Sequence, residues 1–384
     1  MPTRVGAFPD SEISRLIAAK CITGVPYDDK RKCYPTVRPS SLDLTIEPDE
    51  LYFVRGDFQP QCGETVREVL AQMGATRHRY DTPLSRGSAY VARIAQRVSM
   101  PHSLYGYTNP KSTTGRNDIL TRLIADGVPR FDTVPRGFSG ELWVLIQPGS
   151  YPVLLGPEQS LIQMRVFNAD TRMTESEQEV EYLKHCLLYG RDHQPIAYRD
   201  IKITDNDGSL HLTVDLKGPV VGYECRGADD IIDLAKVKHY EPGFWFNEMR
   251  PVQGQIILHP GGFYVLASRE LVVVPPDLAC EMVQLDSRTG HFISHQAGYI
   301  DPGWGLDEQG QGTGQPLVME VTPIKKVILR HGQPIAKLKY ERMTVPPDLH
   351  YGQLADCNYR TVNALRLAKQ FRENSAVASE MVLA

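Results

Sequence analysis

The sequence predicts an all-β protein with a few helices, organised as two tandem domains. Short β-branched and aromatic runs such as Leu142 to Ile146, Ile256 to Leu258, Leu271 to Val274 and Val327 to Leu329 are bounded at close intervals by Gly, Pro, Asp and Asn. The 28 prolines and 31 glycines are dispersed among such runs, which favours a barrel or a sandwich. A third observation sets the domain count. Two stretches about 170 residues apart follow one plan. The first runs through Ala89-Tyr90-Val91, Met100-Pro101, Lys111-Ser112-Thr113-Thr114-Gly115-Arg116, Phe131-Asp132, Gly137-Phe138-Ser139-Gly140 and the apolar run Leu142 to Ile146 before Pro148. The second runs through Phe263-Tyr264-Val265, Val274-Pro275-Pro276, Asp286-Ser287-Arg288-Thr289-Gly290, Ile300-Asp301-Pro302-Gly303-Trp304 and Leu317-Val318-Met319-Glu320-Val321 before Pro323.

A period this long duplicates a whole domain, because solenoid repeats are several times shorter. The expected division is a first domain over 1–175 with a helical lead-in, a second over 176–345, and a C-terminal tail over 346–384. Four helices are expected: Ser11 to Ala19, Glu64 to Met73, Ser176 to Leu188, and Thr361 to Arg372 in the tail. The third bridges the halves, with Ser176 and Glu179 spaced as a capping box.

Composition bounds the function. A chain of 384 residues with 41% hydrophobic and 23% charged residues and a net charge of -4 is an ordinary soluble protein, without the basic surplus of a nucleic-acid or acidic-membrane partner. No apolar run approaches the roughly 18 residues that cross a bilayer, and residues 1–18 hold acids and prolines where a signal peptide has an apolar core. A cytoplasmic location is expected. The seven cysteines are scattered and lack a C-x-x-C pair, so they read as reduced thiols outside any disulfide framework or zinc site.

The chemistry lies in the loops and one strand. Lys111 to Arg116 packs two cations, three hydroxyls and a glycine into six residues, which suits a grip on phosphate oxygens; an exposed polar turn has the same composition. It is not a P-loop, since G-x-x-x-x-G-K-[ST] is absent. Gly310-Gln311-Gly312-Thr313-Gly314 opens no helix and reads as a hairpin insertion. In the run 317–321, alternation places Glu320 opposite Met319 and Val321. A carboxylate buried there is paired or has a raised pKa, and either state suits a general acid/base; a solvent-facing residue is the bland alternative. Leu145 holds the matching position in the first copy.

Taken in order, Pro39-Ser40-Ser41-Leu42-Asp43-Leu44, the Lys-Ser-x-x-x-Arg loop, Ile300 to Trp304, the glutamate strand, and Met343 with a Tyr-containing tail resemble the 2'-deoxycytidine 5'-triphosphate deaminases of the dUTPase superfamily, specifically the long, duplicated bacterial form. The resemblance implies two dUTPase-like distorted jelly-roll β-barrels and hydrolytic deamination of dCTP to dUTP and ammonia. It implies no catalytic zinc, and H-x-E with P-C-x-x-C is indeed missing from the sequence. Glu320 would then move the protons. Ser112 and Arg116 would orient water and base and help hold the triphosphate, with Lys111 beside them. Asp301 would meet the 3'-hydroxyl, Tyr299 pack on deoxyribose, and Tyr359 and Lys369 contact phosphate. Magnesium would accompany the triphosphate, and the protein would be a homo-oligomer.

Each copy departs from the family pattern in a different place. The first has the loop but Leu145; the second has Glu320 but Asp286 to His291 in place of the loop. Loop and glutamate are therefore expected to meet between a first-type and a second-type domain. The tail keeps Tyr359 but lacks the family's glutamines, and Lys337 stands where a glutamine is common. Two alternatives stay open: a dUTPase or bifunctional enzyme releasing dUMP and pyrophosphate, with Asp132 or Asp301 activating water, and a non-catalytic nucleotide-binding regulator.

Overall fold

The computed structural model describes residues 4–156, 158–201, 207–283, 285, 298–355, 359 and 365–373, and the backbone alone at 292–294. The chain is mostly β and divides into two compact units. One comprises Met1–Thr171, Ala228–Lys236 and Met343–Asp348; the other comprises Arg172–Gly227, Val237–Arg342 and Leu349–Ala384. Two later segments therefore belong to the first unit. Val153 pairs with Ile232 in parallel, and Thr344 N donates to Ala7 O at 3.0 Å.

The first unit is built on seven strands: β1 (Ser41–Val54), β2 (Ala89–Ser99), β3 (Tyr105–Pro110), β4 (Ile119–Ala125), β5 (Thr133–Val134), β6 (Ser139–Pro148) and β7 (Ser160–Phe167). They lie in the order β4-β6-β2-β1-β7-β3-β5. Asp132 draws the two ends of this sheet together. Its N–H donates to Leu123 O at 3.0 Å and its carboxylate accepts from Leu123 N at 2.9 Å, linking the start of β5 to β4. Such closure leaves fewer unpaired edge groups.

Helix α1 (Asp10–Ala18) buries Ile13 and Leu16, and α2 (Val66–Gln72) buries Val66 and Leu70. Thr65 and Glu68 cap α2 reciprocally: Thr65 N donates to Glu68 Oε2 at 2.7 Å and Glu68 N to Thr65 Oγ1 at 3.2 Å. A one-turn helix, α3 (Ser112–Gly115), follows β3.

In the second unit the equivalent of β1 is broken in two, β8 (Ser209–Thr213) and β9 (Gly222–Cys225), around Lys217-Gly218-Pro219. Proline cannot donate to a ladder and glycine weakens one, so the strand stops there. The remaining principal strands are β10 (Phe246–Met249), β11 (Tyr264–Val272), β12 (Leu278–Val283), β13 (Tyr299–Ile300), β14 (Gln315–Pro323) and β15 (Pro334–Arg342). One sheet runs β10-β9-β11-β14 and ends on the backbone of 292–294; the other runs β8-β15-β12-β13. Leu210, Leu266, Met319, Val321, Leu338 and Tyr340, drawn from both sheets, share one core.

Helix α4 (Glu175–His185) opens this unit. Its capping box is Thr174 with Glu177, not Ser176 with Glu179: Thr174 N donates to Glu177 Oε2 at 2.9 Å, and Ser176 already lies inside the first turn. The helix expected over Thr361 to Arg372 is corrected where it can be seen; residues 361–364 lie outside the described residues, and 365–372 are not helical. Backbone groups there pair with another segment. Lys238 N donates to Lys369 O at 2.8 Å and Arg372 N to Tyr240 O at 2.9 Å, while Phe371 packs on Tyr240, Trp245 and Phe246 at centroid distances of 5.2 to 6.3 Å. Burial of that aromatic outweighs local helix propensity. Among the described residues no helix is long and apolar enough to cross a membrane, which says nothing of β-barrel insertion.

Candidate active site

The loop carrying Lys111, Ser112 and Arg116 is rigid. Lys111 N and Thr114 Oγ1 both donate to Leu161 O at 2.9 Å, Asn117 Nδ2 donates to Thr113 O at 2.8 Å, and Tyr151 OH donates to Asn117 Oδ1 at 3.0 Å. Arg116 N donates to Ser112 O at 3.0 Å, so the serine and arginine lie one helical turn apart on the same side of α3 and its cap. Arg116 is 5% exposed. Lys111 is tied down by an acid of the same unit. Its ammonium pairs with Asp43, whose carboxylate also lies 3.8 Å from Arg38 Nε, so its charge is matched inside the first unit and fixes the loop to β1.

Glu320 is 3% exposed in β14. Its neighbours Met319 and Val321 enter the main core, and Glu320 takes the other face, as alternation requires. The solvent-facing alternative is therefore excluded. The register shows how closely the copies correspond. Glu320 faces Val265 across β11 and β14, and Leu145 faces Val91 across β2 and β6. Tyr264 and Tyr90, one residue earlier, accept the backbone N–H five residues upstream, from His259 at 2.8 Å and from Ser85 at 2.9 Å.

The ladders correct one sequence pairing. Glu281 faces Tyr299 and Cys280 faces Ile300 in the second unit; Tyr107 faces Thr133 and Gly106 faces Val134 in the first. Trp304 O accepts from Val274 N at 3.0 Å, and Phe138 O accepts from Met100 N at 2.6 Å. Ile300-Asp301-Pro302-Gly303-Trp304 thus corresponds to Val134-Pro135-Arg136-Gly137-Phe138, and the counterpart of Asp301 is Pro135, not Asp132. Gly303 has φ 87°, and a Cβ there would lie 2.5 Å from the His350 ring, so this turn needs glycine. Asp132 itself is engaged structurally. Besides Leu123 N its carboxylate accepts from Arg122 at 2.7 Å and Thr108 Oγ1 at 3.2 Å, and burial pushes its pKa up against those bonds.

Polar residues are cross-strand neighbours on β1, β7 and β3 of the first unit and on β8 and β15 of the second. In the first unit Asp43, Gln163 and Asn109 are register neighbours; in the second His211, Lys337 and Val283 are. His211 and Lys337 are 4% and 5% exposed on the face turned away from Leu210, Leu212, Ala336 and Leu338. Lys337 thus holds the register place that Gln163 has in the first unit. His211 was missed by the sequence reading, although Ser41-Leu42-Asp43-Leu44 against Ser209-Leu210-His211-Leu212 carried the signal.

Tyr299 is buried on the same face, beside Glu281 in the ladder. Tyr359 is buried in the main core of the second unit, and Lys369 is half-buried at the segment that pairs with Lys238. Residues 286–291 lie outside the described residues. Lys111, Ser112 and Arg116 thus lie in the first unit, and Glu320, Asp301, Tyr299, Tyr359 and Lys369 in the second.

Two tandem dUTPase-like barrels with a buried strand glutamate and a Ser/Arg loop define a class of nucleotide-handling β proteins. Comparison with known proteins narrows it. Residues 4–170 match the model of the 2'-deoxycytidine 5'-triphosphate deaminase N-terminal domain, and residues 184–371 match that of its C-terminal domain. The crystal structure of 2'-deoxycytidine 5'-triphosphate deaminase from Agrobacterium tumefaciens superimposes with a TM-score of 0.77 at 30% identity, covering 88% of this chain and 99% of that one. The chain belongs to the 2'-deoxycytidine 5'-triphosphate deaminase family. Curated relatives include "dCTP deaminase, dUMP-forming" of Methanobrevibacter smithii, 34% identical over 25% of this chain and 47% of that protein, and of Mycolicibacterium smegmatis, 28% identical over 33% and 66%. The "dCTP deaminase" of Haloarcula marismortui is 30% identical over 28% of this chain and 52% of that protein. This chain spans about half the length of the first of these relatives.

Proposed function

We propose that this protein deaminates dCTP by hydrolysis, giving dUTP and ammonia. The observation that carries this reading is Glu320, a carboxylate held at 3% exposure in β14 where the first copy has leucine. A buried acid costs stability and is not needed to build the strand, so its place is best explained by chemistry. Glu320 takes a proton from the water that attacks C4 of cytosine, forming the C–O bond, and returns protons to the ring nitrogen and the leaving amine, which departs as ammonia. Ser112 and Arg116 orient water and base and steady the triphosphate. Asp301 accepts from the 3'-hydroxyl, Tyr299 packs against deoxyribose and Lys369 contacts phosphate, whereas Tyr359 is held in the apolar core, away from that role. Magnesium enters as the counter-ion of the substrate, bound through phosphate oxygens and water. The active form is a cytoplasmic homo-oligomer.

A second reading is favoured by the names of the Methanobrevibacter and Mycolicibacterium relatives, which are called dUMP-forming. In it, dUTP is hydrolysed further to dUMP and pyrophosphate. Asp132, which already accepts from Arg122, Leu123 and Thr108, or Asp301 would activate that second water. Incubation with dCTP and magnesium, following ammonia, dUTP, dUMP and pyrophosphate together, separates the readings. Ammonia with dUTP supports the deaminase, and ammonia with dUMP and pyrophosphate the bifunctional enzyme. Tight dCTP binding without ammonia overturns both in favour of a regulator.

A further inference from the structure

A cluster apart from the residues discussed so far gathers on α4. Glu181 and His185, four residues apart, project from one face of the helix toward Asp277. His185 Nε2 lies 3.6 Å from Glu181 Oε2 and 3.5 Å from Asp277 Oδ1, and the three ligand atoms lie within 4.8 Å of one another. Both separations are long for hydrogen bonds. Glu181 Oε2 and His185 Nε2 are shielded from solvent, and neither makes a hydrogen bond among the described residues. Glu181 Oε2 has the Lys184 ammonium at 3.5 Å, but His185 Nε2, set between two carboxylates, needs an explanation.

Zinc supplies one. Nitrogen and oxygen ligands bound at about 2.0–2.2 Å with tetrahedral angles lie about 3.3–3.6 Å from each other, which matches the two measured separations. The donors are also preset. Cys186 follows His185 at φ 49° and ends the helix there, while Asp277 follows Pro275-Pro276 in a turn closed by Leu278 N donating to Pro275 O at 3.0 Å. The side chains of Glu181, His185 and Asp277 are 18%, 23% and 24% exposed, so the cluster lies near the surface.

We propose that Glu181, His185 and Asp277 form a zinc site that pins α4 to the turn before β12. Lys184 is its competitor. The ammonium lies 3.1 Å from Asp277 Oδ2 and 3.5 Å from Glu181 Oε2, offsetting one of their two negative charges when zinc is absent, and its side chain is 53% exposed and able to swing away. The sequence could not announce this site, because helix and turn are far apart in the chain and no ligand is a cysteine.

Zinc alone, titrated calorimetrically into chelator-treated full-length protein, tests the proposal. The expected result is one zinc bound per chain, binding weakened at least about tenfold by His185→Gln, and binding tightened by Lys184→Ala; loss of even an outer-shell partner costs about 10–100-fold, which sets the floor for losing a ligand. Circular dichroism verifies that each variant is folded. Should His185→Gln fail to fold, the Lys184→Ala arm decides. The absence of saturable uptake by the unmodified protein, unchanged affinity in folded His185→Gln, or weaker binding in Lys184→Ala overturns the site.

Discussion

The two copies place different chemistry at one register position, and the surroundings explain why. In the first, Leu145 is completely buried in a small cluster with Val54, Val66, Leu70, Val91, Ile124 and Trp143, roofed by α2. This is a separate apolar cluster on the face of the sheet opposite Val144 and Ile146. In the second, Val265 keeps the cross-strand position while Glu320 replaces the leucine, and Pro135 gives way to Asp301. The scaffold tolerates either residue set, so the acid and its aspartate are not there to build the barrel. Conversely, the ordered Ser112/Arg116 loop belongs to the copy that lacks the acid. The barrel is a shared frame, and function resides in residues grafted onto it.

The largest effects expected from breaking this asymmetry are on turnover. Glu320→Gln should lower kcat for ammonia release by about 10²–10⁴-fold, the usual worth of a general acid/base, and Arg116→Ala should abolish activity with Glu320 intact. Activity surviving either change in a steady-state assay would sink the divided residue set. Leu145→Glu inserts an acid into an apolar cluster whose cross-strand cation, Arg122, is already paired with Asp132, and chemical denaturation should show a loss of about 3 kcal/mol or more without any gain in turnover.

Smaller effects sharpen the contrast. Leu70→Ala in the roofing helix should cost about 2–3 kcal/mol on denaturation and leave kcat unchanged; a kinetic defect would mean that the roof serves catalysis. Thr65→Ala, which removes the cap of that helix, should cost about 1 kcal/mol.

The acid limb of stability supplies the mildest test. Glu177, capping α4, is held down to a pKa of about 2 by the Thr174 backbone N–H, the Thr174 hydroxyl and Arg342. A lowered folded-state value means that this contribution is complete above the ordinary carboxylate value and fades as pH falls from about 4.5 toward about 2. Glu177→Gln should therefore flatten the stability profile in that window, and an unchanged acid limb would discount the cap.

What the sequence by itself determined was the β class, the duplication and the identity of the polar residues, because period-two alternation and turn residues are local signals. It placed Glu320 on the face opposite Met319 and Val321, and burial bears that out. Tertiary structure decided the rest. Strand register, not linear spacing, made Pro135 the counterpart of Asp301, because the two copies differ in loop length before that strand. Lys111 was drawn to Asp43, and Asp132 to the closure of the first sheet, since partners so distant in sequence leave no periodic trace. The segment at 365–372 reads as a helix in isolation, yet burial of Phe371 against Tyr240, Trp245 and Phe246 holds it out of a helix. Local propensity is worth tenths of a kilocalorie per residue, and a buried aromatic outweighs it by several fold.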